Sequence, residues 1–218
     1  EKFNHYSFDW MSGSDGFVFS SNYTEDWEYD FRNSEIYSIS VNGSNLQQLT
    51  DRNGPDMGAA VSPDGKSIAY LGYEDKVQTY QINNLTIMDI DGSNKRTIDI
   101  ELDRNIESLK WSADGKNLYF MYDNYGNTKI ATTNLNGRVR KLIDDVGGTS
   151  IGRPYGGGSF SVSLEGEISY TLTSPYHPAD IGYYEGNSIK RLTNLNNDLL
   201  RGKDLGVSEE IWYNSSVD

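Results

Sequence analysis

The stretches SPDGKSIAYL at 62–71 and SADGKNLYFM at 112–121 decide the fold: each is a Gly-centred turn followed by a strand-like run. Two looser copies, SGSDGFVFSS at 12–21 and SLEGEISYTL at 163–172, extend the series. Their glycines, Gly16, Gly65, Gly115 and Gly166, stand 49, 50 and 51 residues apart. A second series runs out of phase with the first, placing turn glycines at Gly43, Gly92, Gly137 and Gly186 with spacings of 49, 45 and 49. Each of these is followed by a short basic or polar strand ending in an apolar pair: LQQLT, KRTID, VRKLI and IKRLT. Two independent markers with one period identify a repeat protein.

Each unit reads as four short strands. An inner strand carries a buried aromatic or aliphatic residue (Phe8 and Trp10, Val61, Trp111, Val162), and the Gly turn leads into a period-2 strand such as Ser67–Leu71 or Asn117–Met121. A variable loop follows, then a hairpin at the second glycine. The Asp-Gly and Asn-Gly pairs supply the positive φ that tight hairpins require. Four-stranded repeats of roughly 40–50 residues are the signature of β-propeller blades. The expected fold is therefore all-β, a propeller of about four blades over 1–54, 55–102, 103–147 and 148–204, with 205–218 as a strand or linker. The ends offer no obvious closing strand, so a larger propeller is expected.

Composition removes several function classes. The 218 residues carry 19 Lys and Arg against 32 Asp and Glu, a net charge of −13. Nucleic-acid binding needs a basic face, and anionic membrane surfaces repel such a chain. Ten acids and three bases fall within residues 1–60. No apolar run is long enough to span a bilayer. The absence of cysteine excludes disulfides, thiolate catalysis and Cys-based zinc sites. Neither His5 nor His177 has a metal-binding spacing, and the acidic turns around Gly92 and Gly126 lack the terminal Glu of a calcium loop, so no metal or cofactor is expected. Both histidines read as surface or loop residues.

The turn SPDGKSIAY with the preceding LTDRNGPDMGAAV resembles the repeat of TolB-type propellers and of prolyl oligopeptidase-family serine peptidases. RPYGGGSFSVSLEGEISYTLTSPYHPADIGYYEGNSIKRLTNLNNDLL at 153–200, followed by EEIWYNSSVD at 209–218, is similar to the acylaminoacyl- and dipeptidyl-peptidase-like branch of that family. The resemblance implies a non-catalytic propeller that gates access for short peptides and packs against an α/β-hydrolase domain carrying the Ser–Asp–His triad. That domain would follow Asp218, and no position here matches it. The alternative is a stand-alone TolB-like propeller that binds a protein, peptide or glycan. Compartment is open, with the lack of cysteine and the abundance of Asn, Ser and Tyr pointing to the periplasm or secretion.

One string, GTSIG at 148–152, matches the bare nucleophile-elbow pattern around Ser150, but GRPYGGGSF after it cannot begin the required helix. No catalytic residue is assigned. The glycines of 153–158 read as a close backbone passage into the last blade. The candidate substrate-binding residues are Glu25, Asp26, Trp27, Glu28 and Tyr29, in the loop between the second and third strands of the first unit. Their carboxylates and rings suit the charge and stacking demands of a peptide amine.

Overall fold

The computed structural model describes residues 3–148 and 157–216. The chain folds into consecutive four-stranded antiparallel meanders. The first comprises β1 (His5–Trp10), β2 (Gly16–Ser21), β3 (Glu35–Ser40) and β4 (Gln47–Gln48). The second comprises β5 (Asp56–Val61), β6 (Ser67–Gly72), β7 (Asn84–Asp89) and β8 (Arg96–Ile98). The third contains β9 (Ile106–Trp111), β10 (Asn117–Asn124), β11 (Asn127–Asn134) and β12 (Val139–Val146). The fourth contains β13 (Phe160–Val162), β14 (Ile168–Ser174), β15 (His177–Glu185) and β16 (Ser188–Arg191), followed by a short helix α1 (Asn197–Leu200). The last two meanders join into one sheet because the end of β12 pairs with β14 at Val146 and Leu172. These are the blades of a β-propeller.

The turns work through their side chains. Ser62 donates from Oγ to Asp64 Oδ1 at 2.6 Å, and the Lys66 amide donates to that same oxygen at 3.1 Å. Ser112 and Asp114 repeat this arrangement one blade later. Gly65 and Gly115 take φ of 70° and 67°, the left-handed region that a Cβ disfavours. In the first blade those positions fall on Gly13 and Ser14, and Gly16 instead begins β2. There an added Cβ would lie 2.7 Å from the Ile39 carbonyl oxygen, so Gly16 serves close packing. Around Gly92, Asp91 Oδ1 accepts from the Ser93 amide and hydroxyl, an Asx turn.

Packing explains why the strands are richer in apolar residues than simple alternation. Successive side chains point to opposite faces, and in the second blade both faces are covered by a neighbouring blade. Ile68, Tyr70 and Met88 turn toward Val18, Ile36 and Leu49 of the first blade. Ala69, Leu71, Leu85 and Ile87 turn the other way, onto Leu118, Phe120 and Ala131 of the third. Met121, Ile130 and Ile143 meet Ile168, Tyr170 and Tyr184. Each such large side chain contributes about 1.5–3 kcal/mol by leaving water.

The inner strands are also stitched across blades. Asp9 Oδ2 accepts from the Val61 amide at 2.8 Å, and the Trp111 indole donates to the Ala60 carbonyl at 3.0 Å. Replacing Trp111 by phenylalanine keeps most of the packing and removes that one donor. A loss of about 1 kcal/mol is expected in urea denaturation. An unchanged midpoint would show that the indole bond adds nothing.

Three local expectations change. Phe8 and Trp10 are 61% and 60% exposed, because no described blade covers the outer face of the first one. His177 opens strand β15 rather than lying in a loop. Residues 209–216 form no strand among the described residues: Ser208 instead donates its amide to the Tyr176 hydroxyl, and Trp212 meets Tyr125 edge-on. The tail is thus held by side chains, not by a ladder.

Candidate ligand site on the propeller axis

The three inner strands β1, β5 and β9 share a defect. Each register slips by one residue, so that two residues oppose one on the neighbouring strand. Ser7 and Phe8 oppose Phe19, Gly58 and Ala59 oppose Tyr70, and Ser108 and Leu109 oppose Phe120. The first residue of each bulge is left-handed: φ is 57° at Ser7, 66° at Gly58 and 59° at Ser108. The opposing aromatics are 3%, 1% and 0% exposed, so each bulge is anchored from behind by a buried ring. A bulge bends its strand and takes the extra residue out of regular pairing.

All three bulge residues line one cavity of about 660 Å³. Its remaining wall comes from the blade ends: the loop after β6 supplies Tyr73, Tyr80 and Asn83, the link from β8 to β9 supplies Arg104 and Asn105, and β9 itself supplies Glu107. Tyr122 and Asp123 close the side formed by β10. The cavity therefore opens at the end of the propeller where the longer loops gather.

Its polar groups divide into two kinds. Asn83 is structural: its side chain donates to the Ile106 carbonyl at 2.8 Å and accepts from the Ile106 amide at 3.1 Å. It copies a strand neighbour across the blade boundary, and Asn105 Oδ1 accepts from the Asn83 amide in turn. The charged groups are more available. Glu107 reaches the cavity from β9, and partial burial together with the negative charge of Asp123 pushes its carboxyl upward. Arg104 leans on Asp103, with Nη1 3.6 Å from Asp103 Oδ2, and its guanidinium lies 5.9 Å from the centre of the Tyr125 ring. Both signs of charge, aromatic surface and accessible backbone meet in one place. That combination suits a ligand with polar groups and an apolar side chain.

The loop between β2 and β3 stands at this same end of the blades. Tyr29 and Asp30 turn back on the Asp26 carbonyl through their amides, at 2.8 and 2.9 Å. Asn22 ties the loop down by donating to the Asp30 carbonyl at 2.7 Å. Glu25, Asp26 and Glu28 are exposed, Tyr29 is 86% exposed, and Trp27 is half-buried with its ring 6.2 Å from that of Phe3. The five residues do not line the axial cavity. The bulge residues lay outside the sequence candidates, although a small residue seven positions before the turn glycine, Gly58 and Ser108, marks them.

A second polar cluster is buried in the fourth blade. Asp180, whose side chain is 0% exposed, accepts from Arg191, from Thr193 Oγ1 at 2.7 Å and from the Leu195 amide at 2.9 Å. His177 Nδ1 lies 3.3 Å from it. This cluster fastens β15 to the chain beyond β16. Ser150, Arg153, Pro154, Tyr155 and Gly156 lie outside the described residues. Gly158 is described, and a Cβ there would sit 2.8 Å from Val146 Cγ1 and 3.2 Å from the Gly147 carbonyl, the close passage expected of this segment.

No protein-family model matches the chain. It is 28% identical over 181 residues to dipeptidyl-peptidase 5 of Arthroderma otae, a match covering 74% of this chain and 25% of that protein. Among solved structures, the acylaminoacyl peptidase of Pyrococcus horikoshii superposes with a TM-score of 0.66 at 18% identity, covering 94% of this chain and 29% of that one. TolB of Acinetobacter baumannii gives a TM-score of 0.60 at 17% identity, covering 83% and 40%. The chain spans about a quarter of the length of the curated relatives it matches. It is a β-propeller that resembles the propeller domains of the prolyl oligopeptidase family.

Proposed function

We propose that this propeller is the non-catalytic part of a serine peptidase of the dipeptidyl- or acylaminoacyl-peptidase kind, gating access and positioning short peptides for an α/β-hydrolase domain. The observation that carries the reading is the axial cavity. Its volume of about 660 Å³ is of the size that holds a small ligand, and its mouth lies among loops at one end of the blades. A folded protein cannot enter such a space, whereas a short flexible peptide can. In this reading the acidic rim of Glu25, Asp26 and Glu28, with Trp27 and Tyr29 beside it, attracts the peptide amine. The partners are the hydrolase domain and the peptide. The acyl-enzyme chemistry would belong to that domain, and this chain supplies selection and orientation.

Two proteins test the proposal: these 218 residues alone and the longest natural product that contains them. Both are treated with a fluorophosphonate that labels activated serines. Labelling of only the longer product is expected, together with hydrolysis of dipeptide and tripeptide arylamides but not of folded protein. Labelling of neither removes the peptidase reading. Labelling of the short chain would bring Ser150 back as a nucleophile.

The likeness to TolB favours a second reading, a stand-alone propeller that binds a protein, peptide or glycan. Under it, the longest product carries no fluorophosphonate-reactive serine, and its partner is recovered by binding at the loop-bearing end.

A further inference from the structure

We propose that Ser7, Gly58 and Ser108 form a binding edge for the peptide groups of an extended ligand lying in the axial cavity. The inference deepens the function proposed above and rests on it. Three observations carry it. The bulges recur at one level of successive inner strands, 51 and 50 residues apart, so they belong to the repeat rather than to one irregular strand. All three bulged residues reach the same cavity. Two of them are serines held at φ of 57° and 59°, a conformation in which an L residue is strained. Strain kept at two non-glycine positions, both facing one cavity, is the usual mark of a site whose backbone has been shaped for contact.

The ligand class follows from what the cavity leaves available. The amide side chain of Asn83 is spent on Ile106, and Asn105 Oδ1 on the Asn83 amide. Arg104, Glu107 and Asp123 each occur once in the wall, whereas the bulge backbone, which a bulge takes out of regular pairing, is the polar element that repeats, and peptide amides are its natural complement, as in strand addition to a sheet edge. Met57, Leu71, Tyr73 and Tyr80 around them offer apolar and aromatic surface for the ligand's side chains. The edge is indifferent to sequence and to terminal charge. It would thus hold a peptide whose ends are blocked, where a purely electrostatic rim would not.

The test is amide NMR of the ¹⁵N-labelled 218-residue chain with N-acetyl-trialanine amide, which carries no charged end, and with free Ala-Ala. The blocked peptide is expected to move the amides of Ser7, Gly58 and Ser108 along one saturable curve. In a Ser7→Gly, Ser108→Gly variant, which keeps the left-handed bulges, binding should survive. In Ser108→Val, β-branching disfavours the left-handed bulge, and affinity should fall about tenfold, the equivalent of a left-handed penalty of 1–2 kcal/mol. A Gly58→Ala variant serves if Ser108→Val fails to fold. Shifts confined to 24–32, or seen only with free Ala-Ala, overturn this inference and leave the gating function standing. If neither peptide moves any amide, the inference fails, and the function is judged separately by fluorophosphonate labelling and arylamide hydrolysis.

Discussion

Replacing Asp180 by alanine is expected to cost about 1.5–3 kcal/mol, the range for losing hydrogen bonds to a charged group. The carboxylate is enclosed completely and receives Arg191, Thr193 Oγ1 and the Leu195 amide, with His177 alongside. Burial alone would push its carboxyl up, but the donors from Leu195, Thr193 and Arg191 outweigh burial and hold it below the ordinary carboxylate range. Its contribution is therefore present above the unfolded carboxyl pKa and lost as pH falls through the lower folded value. Alanine takes the shared acceptor from Arg191, Thr193 and the Leu195 amide together; the half-exposed Arg191 can turn to water, but the chain beyond β16 loses its anchor. Since domains are stable by only about 5–15 kcal/mol, a sizeable part of the margin would go. Urea denaturation followed by Trp fluorescence measures this, with Thr193→Val as a milder companion that removes one donor for about 1 kcal/mol. If Asp180→Ala unfolds at the wild-type midpoint, the cluster is not a fastening.

That cluster also marks where reading the sequence stopped. The blades were legible because a period of about 50 residues is written twice, in the turns around Gly65 and Gly115 and in those around Gly92 and Gly137. Turn chemistry is local: Ser62, Asp64 and Gly65 act within four residues of one another. Asp180 finds Arg191 and Thr193 only after the chain has reversed through a hairpin, a separation at which spacing says nothing. His177 looked like a loop residue because Pro175 and Pro178 flank it, yet β15 begins there, with Pro178 just inside the strand.

The candidate site divides along the same line. Glu25–Tyr29 could be picked out because acids and rings adjoin in sequence. The bulges could not, because a bulge is a property of two strands together: Ser108 is unremarkable until Phe120 is seen to oppose both it and Leu109. Once the pairing is known, the aromatic series Phe19, Tyr70, Phe120 and Tyr170 becomes a third marker of the repeat, with steps of 51, 50 and 50 residues. Charge acts over longer distances, and here composition was informative. A net charge of −13 excludes a broad basic face, and the cavity wall carries both signs of charge in Arg104, Glu107 and Asp123.

Stability should fall, not rise, as pH increases from 5 to 8. The reason lies at the joint of the first two blades, where Glu35 and Asp56 are 5% and 1% exposed. Burial pushes the Glu35 carboxyl from 4.5 up to about 7, against the hydrogen bond from Thr50 Oγ1 at 2.5 Å and with the help of the Asp56 charge. Burial likewise pushes Asp56 from 3.8 up to about 6, even though Arg52 Nη2 lies 3.2 Å from Oδ1 and Lys95 is also near enough to oppose it. Asp51 adds to both shifts, and Tyr70 and Tyr37 stand close enough to feel the two charges. A carboxyl raised in the folded state gives its full stability below the unfolded pKa and loses it as pH climbs through the folded one. For Glu35 the window runs from 4.5 to about 7, and at about 1.4 kcal/mol per unit the loss over the whole window comes to roughly 3.5 kcal/mol. The two carboxyls are coupled, so their losses do not add. Glu35→Gln keeps the shape and the contact with Thr50 while removing the charge, and should flatten the urea midpoint between pH 5 and pH 8. General repulsion in a chain of net charge −13 also grows with pH, but the single substitution barely changes it. An equally steep pH dependence in Glu35→Gln would therefore clear Glu35 and assign the effect to Asp56 or to overall charge. A flat profile would show that the contact between the first two blades, next to the inner strands that line the axial cavity, tightens as its carboxyls take up protons.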